Sequence, residues 1–255
     1  MSIVKSSKNK DQILLSGYRY RRANESQIIW RCCRNDCASR SFYSPWFNSE
    51  KTYYYQATAQ SNRIYTTGTV TLGSTTTDNY SYGNKLTDMD VPNIIYNSIY
   101  NGKLPNDPNS IYLMLSSPDV MESSSPGASF CSQYCGYHTY FSVGSTIYIY
   151  GFIENPLNCM DGCAVYNYNV SPNSDVGIDA MLSPIAHELV EAKSDPYLDA
   201  WGDSNGEENA DKCAYTYGTL YRLSNGAHYN MVVGGSAYLI QRNWDANLQQ
   251  CAVSA

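Results

Sequence analysis

The 255-residue chain is 43% apolar and only 16% charged, which excludes wholesale disorder and leaves enough apolar matter for a sizeable core. Its net charge of -6 excludes a nucleic-acid binder taken as a whole, because neutralising phosphates needs clustered Lys and Arg. Apolar runs such as 147–153 fall far short of the ~20 residues that a membrane-spanning helix needs.

The first 40 positions hold nine of the seventeen basic residues, and the remainder is strongly acidic. Segment 13–20 and the stretch from Trp30 alternate apolar and polar residues, which predicts a short β-hairpin followed by a Cys32-x4-Cys37 turn. Leu15, Tyr18, Tyr20, Trp30, Cys32 and Cys37 resemble the first half of a FLYWCH-type zinc finger. That family completes its tetrahedron with a His-x-His, whereas the histidines here, His138, His187 and His228, are far apart. Residues 1–42 are therefore expected to be an incomplete, basic FLYWCH-like fragment, preceding a second domain over 43–255. The N-terminus shows no apolar signal-peptide core, which by itself points to an intracellular protein.

From about Ser44 the chain turns rich in Tyr, Thr and Val, punctuated by Gly, Asn, Asp and Pro. Candidate strands are Thr52–Ala57, Gly68–Leu72, Ile111–Ser116, Thr146–Ile153, Tyr217–Leu223, Tyr229–Val233 and Ala237–Gln241. Candidate helices are Val91–Asn101 and Gly177–Lys193. The mixture predicts an α+β fold with a mixed β-sheet.

Six cysteines lie in this acidic part: Cys131, Cys135, Cys159, Cys163, Cys213 and Cys251. An even six in a Tyr-rich, Lys-poor domain reads as three disulfides in an oxidising compartment. The alternative is zinc held by the two Cys-x3-Cys pairs. If those pairs have each other as partners, Cys213 is left with Cys251.

The second helix carries the chemistry. At 100° per residue Met181, Leu182, Ile185, Leu189 and Ala192 form one apolar stripe, and His187 and Glu191 lie opposite it about one turn apart. A His and a residue four later can supply two metal ligands, with the adjacent Glu188 as general base. The usual second ligand is His; a carboxylate in its place keeps zinc in play and admits manganese or calcium. Glu208 and Asp211 lie three apart on a turn; Glu208 is expected as the third ligand and Asp211 as the group that orients His187, with His138 the competing third ligand. The bland alternative is a solvated helix face. Pro184 predicts a break, with Ser183 as N-cap of a shorter helix.

Ordered motifs from about Trp46 to Cys251 resemble the exordium or phosphate-induced protein family of plant cell-wall proteins. They include the segment Cys131–His138, the Cys159-x3-Cys163 pair, Ile185–Ala192, Asp195-Pro196, Glu208–Cys213 and the stretch from Tyr238 to Trp244. The resemblance implies a secreted, extracellular protein linked to growth, and it implies no biochemical activity. Two functions compete. One is a zinc-dependent, peptidase-like hydrolase acting on a peptide. The other is a non-enzymatic extracellular or cell-wall binding protein that keeps a relic site. A nucleic-acid binder carried by residues 13–40 comes last.

Overall fold

The computed structural model describes residues 12–18, 45–66, 70–123 and 128–253. In chain order its elements are β1 (Gln12–Tyr18), a 3-10 helix (Pro45–Thr52), β2 (Tyr54–Tyr55), β3 (Ile64–Tyr65), β4 (Thr71–Asp78), β5 (Lys85–Thr87) and α1 (Asp90–Tyr100). Then come β6 (Ser110–Leu115), β7 (Met121–Ser123), β8 (Gly136–Val143), β9 (Thr146–Ile153), α2 (Met160–Cys163) and α3 (Val176–Ser194). Three two-stranded ribbons close the chain: β10 (Tyr221–Arg222) with β11 (His228–Tyr229), β12 (Met231–Val233) with β13 (Ser236–Tyr238), and β14 (Asn243–Asp245) with β15 (Gln250–Ala252).

The main sheet has the order β4-β1-β6-β9-β8. Its first four strands are parallel, and β8 pairs antiparallel with β9 through a tight turn at Gly144, whose φ is +60°. The fold is thus a mixed α+β one, as the alternation of Tyr/Thr/Val runs with two helical segments predicts. The predicted N-terminal hairpin is corrected: Gln12–Tyr18 is a parallel strand with β4 on one side and β6 on the other, so both of its edges are taken. The Trp30–Cys37 half of the finger-like segment lies outside the described residues.

Strand periodicity sorts the core into two faces. Ile111, Leu113, Leu115, Ile149 and Ile153 face α3 and pack with Met181, Leu182, Ile185 and Leu189. The residues between them, Tyr112, Met114, Tyr148, Tyr150 and Phe152, pack with Val91, Ile94, Ile95 and Ile99 of α1. The same period places His138 on the α3 face, because it pairs with Gly151 between Ile149 and Ile153. Gly151 leaves room there; a Cβ on it would lie 2.9 Å from Leu113 Cδ2 and 3.8 Å from Glu188 Cβ.

The expected break at Pro184 does not occur, and α3 runs unbroken through it. Its start is fixed upstream, where the Asp175 side chain accepts a hydrogen bond from Ile178 N. Ser183 does not cap; its Oγ accepts from Gln241 N at 3.0 Å and ties the helix to the C-terminal segment.

Three disulfides join Cys131 to Cys159, Cys135 to Cys163 and Cys213 to Cys251. The Cys213–Cys251 pairing is the one expected, with its Cα atoms 5.6 Å apart. The zinc alternative for the two Cys-x3-Cys pairs is excluded, since each thiol is bonded to one of the other pair. No helix among the described residues is long and apolar enough to cross a membrane.

Candidate metal centre

α3 buries more than its apolar stripe. Glu191 lies under the 208–213 turn and Glu188 lies against β8 and β9, so they are only 3% and 6% exposed. The alternative of a solvated face therefore fails. Two carboxylates are buried here, which is costly unless charge partners or hydrogen bonds compensate.

Those partners are histidines. His187 Nε2 lies 3.0 Å from Glu191 Oε1 and 3.3 Å from Asp211 Oδ1. The third member comes from the Asp211–Cys213 turn, where Asp211 N donates to Glu191 Oε1 at 3.1 Å and Glu208 N donates to Asp211 Oδ2 at 3.1 Å. The Asp211 side chain is 43% exposed, so the triad opens to solvent on that side. Behind it, His187 Nδ1 is 3.2 Å from Gln241 Oε1, and Gln241 Nε2 donates to Ala210 O. The amide is thereby oriented with its oxygen toward the ring. Nδ1 keeps its proton toward Gln241, and Nε2 faces the triad, where it donates to the carboxylates or, with its proton displaced, offers a lone pair to a cation.

His138 reaches the same carboxylates from β8. Its Nδ1 is 3.4 Å from Glu188 Oε2 and 3.7 Å from Glu191 Oε2. Its Nε2 is 3.2 Å from Asp195 O and 3.8 Å from Glu208 Oε1. Of the carboxylates predicted on the turn, Asp211 stands beside His187 and Glu191, whereas Glu208 stands at the outer nitrogen of His138.

Electrostatics follow from this packing. Burial alone would raise the Glu191 carboxyl, but the His187 charge and hydrogen bonds from His138 and His187 outweigh it and hold it at about 2. Burial and the neighbouring Glu191 push Glu208 up to about 9. Burial raises Glu188 against the pull of His138 and His187. Burial opposes charge on both histidines, yet the surrounding carboxylates raise them well above the usual imidazole range.

Two groups of side chains offer donor atoms within 4.8 Å of one another, namely His187 with Glu191 and Asp211, and His138 with Glu188 and Glu191. One imidazole nitrogen and two carboxylate oxygens suit zinc or a harder divalent ion. Separations of 3.0–3.3 Å in the first group fit donors each ~2.0–2.2 Å from one centre.

The turn bearing Glu208 and Asp211 has its own anchor, which spacing in the sequence did not reveal. Glu50, fully buried, accepts from Asn209 Nδ2 at 3.0 Å and from Asn243 Nδ2 at 2.9 Å. Burial raises its carboxyl to about 8, against the lowering effect of Lys193 at the end of α3. Gln241, Asp195 and Glu50 were all missed as site residues. Only their nearness in space marks them.

The sequence profile of the phosphate-induced protein 1 conserved region matches residues 32–254. The chain belongs to the phosphate-induced protein family. Its match includes all six cysteines of the disulfides and every residue of the site, and it begins inside the segment that resembles a finger. Protein EXORDIUM-like 3 of Arabidopsis thaliana is 32% identical over 216 residues, covering 72% of this chain and 62% of the relative. Protein EXORDIUM-like 5 of the same plant is 28% identical over 241 residues, covering 82% of this chain and 63% of the relative. The chain thus spans less than two thirds of the length of these curated relatives. No solved structure matches.

Proposed function

We propose that this phosphate-induced family member is a secreted, metal-dependent hydrolase acting on peptide-like substrates, with a zincin-like centre on α3. The observation that carries it is the convergence of His187 Nε2, Glu191 Oε1 and Asp211 Oδ1 on one point that opens to solvent beside Asp211. These three residues would hold a divalent ion, zinc first among the candidates, with Gln241 fixing the His187 tautomer. Such an ion, when bound, polarises a scissile carbonyl and lowers the pKa of water. Glu188, its carboxyl raised by burial, is the general base, and His138 orients it. Glu208 backs His138 and is the reserve ligand. The outer edge of β8, last strand in its sheet, supports a peptide substrate, since an extended chain can add to such an edge. Three disulfides support an oxidising, extracellular setting. The pairing of Gln12–Tyr18 inside the sheet draws part of the 1–42 head into the unit formed by residues 43–255, and the FLYWCH-like character of that head rests on its Leu, Tyr, Trp and Cys pattern alone.

One observation favours the second function, an extracellular binding protein with a relic site: Glu188 is almost fully buried and occupied by His138. Elemental analysis and thermal unfolding separate the two. The purified chain should carry zinc and lose several degrees of Tm with chelator, and His187→Ala and Asp211→Ala should abolish both effects. Glu188→Gln should keep the metal and lose cleavage of a peptide library. Absence of metal from the purified chain ends the metal reading. Metal retained without cleavage of any peptide leaves the binding protein.

A further inference from the structure

The two histidines of the site are set in the same way. His187 has its outer nitrogen against the Gln241 carbonyl oxygen, and His138 has its outer nitrogen against the Asp195 carbonyl oxygen at 3.2 Å. A carbonyl oxygen only accepts, so each ring keeps a proton outward, and its inner nitrogen either donates to the carboxylates it faces or, with that proton displaced, offers a cation its lone pair. That inner nitrogen meets two carboxylates in each case: Glu191 Oε1 and Asp211 Oδ1 for His187, Glu188 Oε2 and Glu191 Oε2 for His138. Each group is therefore one nitrogen and two carboxylate oxygens within reach of one another, a set in which a cation can take the place of the shared proton. The groups share a single residue, Glu191, and use opposite oxygens of it.

We propose that the site holds two divalent cations, the second bound by His138, Glu188 and Glu191 Oε2, with the Glu191 carboxylate bridging the pair. The inference rests on the first centre proposed above and adds an ion to it. Glu208 Oε1 is shut off from solvent and has no hydrogen-bond partner, 3.8 Å from His138 Nε2. A neutral His138 bound to a cation at Nδ1 gives that oxygen a more acidic N–H to face. Paired ions in hydrolases sit about 3.5–4 Å apart, a span one carboxylate bridges. With both ions present Glu188 is a ligand, and its part as general base belongs to the one-ion state.

Equilibrium dialysis of the full chain against Zn2+ and Mn2+, with electron paramagnetic resonance of the Mn2+ form, tests this. Two equivalents per chain are expected, with the six-line Mn2+ signal weakened by coupling across Glu191. His138→Phe and Asp211→Ala should each leave one equivalent and restore an uncoupled signal. One equivalent in the natural chain, unchanged by His138→Phe, overturns the second ion and leaves the first centre standing. No bound metal at all overturns both. If His138→Phe fails to fold, His138→Gln and the stoichiometry and coupling of the natural chain still decide.

Discussion

Two groups of buried acids stand out among the described residues, and their neighbours treat one acid of each, Glu154 and Glu191, in opposite ways. Glu122 on β7 and Glu154 just after β9 are raised by burial; each is next to the other acid, and Glu154 reaches about 9. Their company is tyrosine: Tyr134 OH donates to Glu122 Oε2. At about 9, Glu154 stays protonated at neutral pH. Glu191 on α3 is as deeply buried, yet its two histidines hold it at about 2 and keep its oxygens as lone-pair donors. The difference teaches that burial alone does not make a metal site. Nearby imidazoles, tied from behind by carbonyls, turn buried acids from proton carriers into ligands.

The largest effect should come from Glu191→Gln, which removes the carboxylate both histidines face. Zinc affinity measured with a competing chelator should fall more than ~100-fold, whereas Glu154→Gln should leave it unchanged. Equal losses in the two variants would erase the distinction between the groups. The disulfides come next. Replacing Cys213 and Cys251 by Ser should cost ~2–5 kcal/mol in urea unfolding and also weaken metal binding, because the bond anchors the turn bearing Asp211. Replacing Cys131 and Cys159, which flank the stretch holding Tyr134, should cost a similar amount and leave metal binding intact. Gln241→Leu should weaken zinc about 10–100-fold by freeing the His187 tautomer, with little change in the metal-free Tm beyond the lost bonds to Ala210.

The smallest effect, read per pH unit, concerns Glu154. Glu154 is raised from 4.5 to about 9 on folding, so its favourable contribution is complete below pH 4.5 and is lost as pH rises toward 9. Over that window it lowers stability by about 1 kcal/mol per pH unit. Glu154→Gln cannot ionise, so urea unfolding at pH 5, 7 and 9 should show a flatter profile than the natural chain. An unchanged slope would mean that Glu154 is ionised when folded and that the two groups of acids do not differ.

Parts of this comparison are legible without coordinates and parts are not. The spacing His187-x3-Glu191 places two donors one turn apart, and the Glu208-x2-Asp211 turn follows in the same stretch of chain. No spacing distinguishes Glu208 from Asp211 as the partner of His187. That is settled by the backbone of the turn, where Asp211 N is directed at Glu191 Oε1 and Glu208 N at Asp211 Oδ2. The pairing of Glu122 with Glu154 leaves no trace in the sequence, because the two sit 32 positions apart on elements that meet only in the fold.

The sequence by itself determined the helix that bears the site, the apolar stripe that buries it, strand β9 to the residue, the α+β class and the Cys213–Cys251 bond. Each of these depends on local periodicity or on a short inventory of partners, which linear order preserves. Tertiary structure alone decided the rest. It carried α3 through Pro184 by capping it at Asp175 and engaging Ser183 elsewhere, and it inserted Gln12–Tyr18 between two strands instead of folding it on itself. It also brought His138 from β8 over Gly151 to within reach of Glu188 and Glu191, 50 and 53 positions away. Contacts of that range depend on sheet register and on what packs behind each ring, and neither is written in the spacing of neighbouring residues.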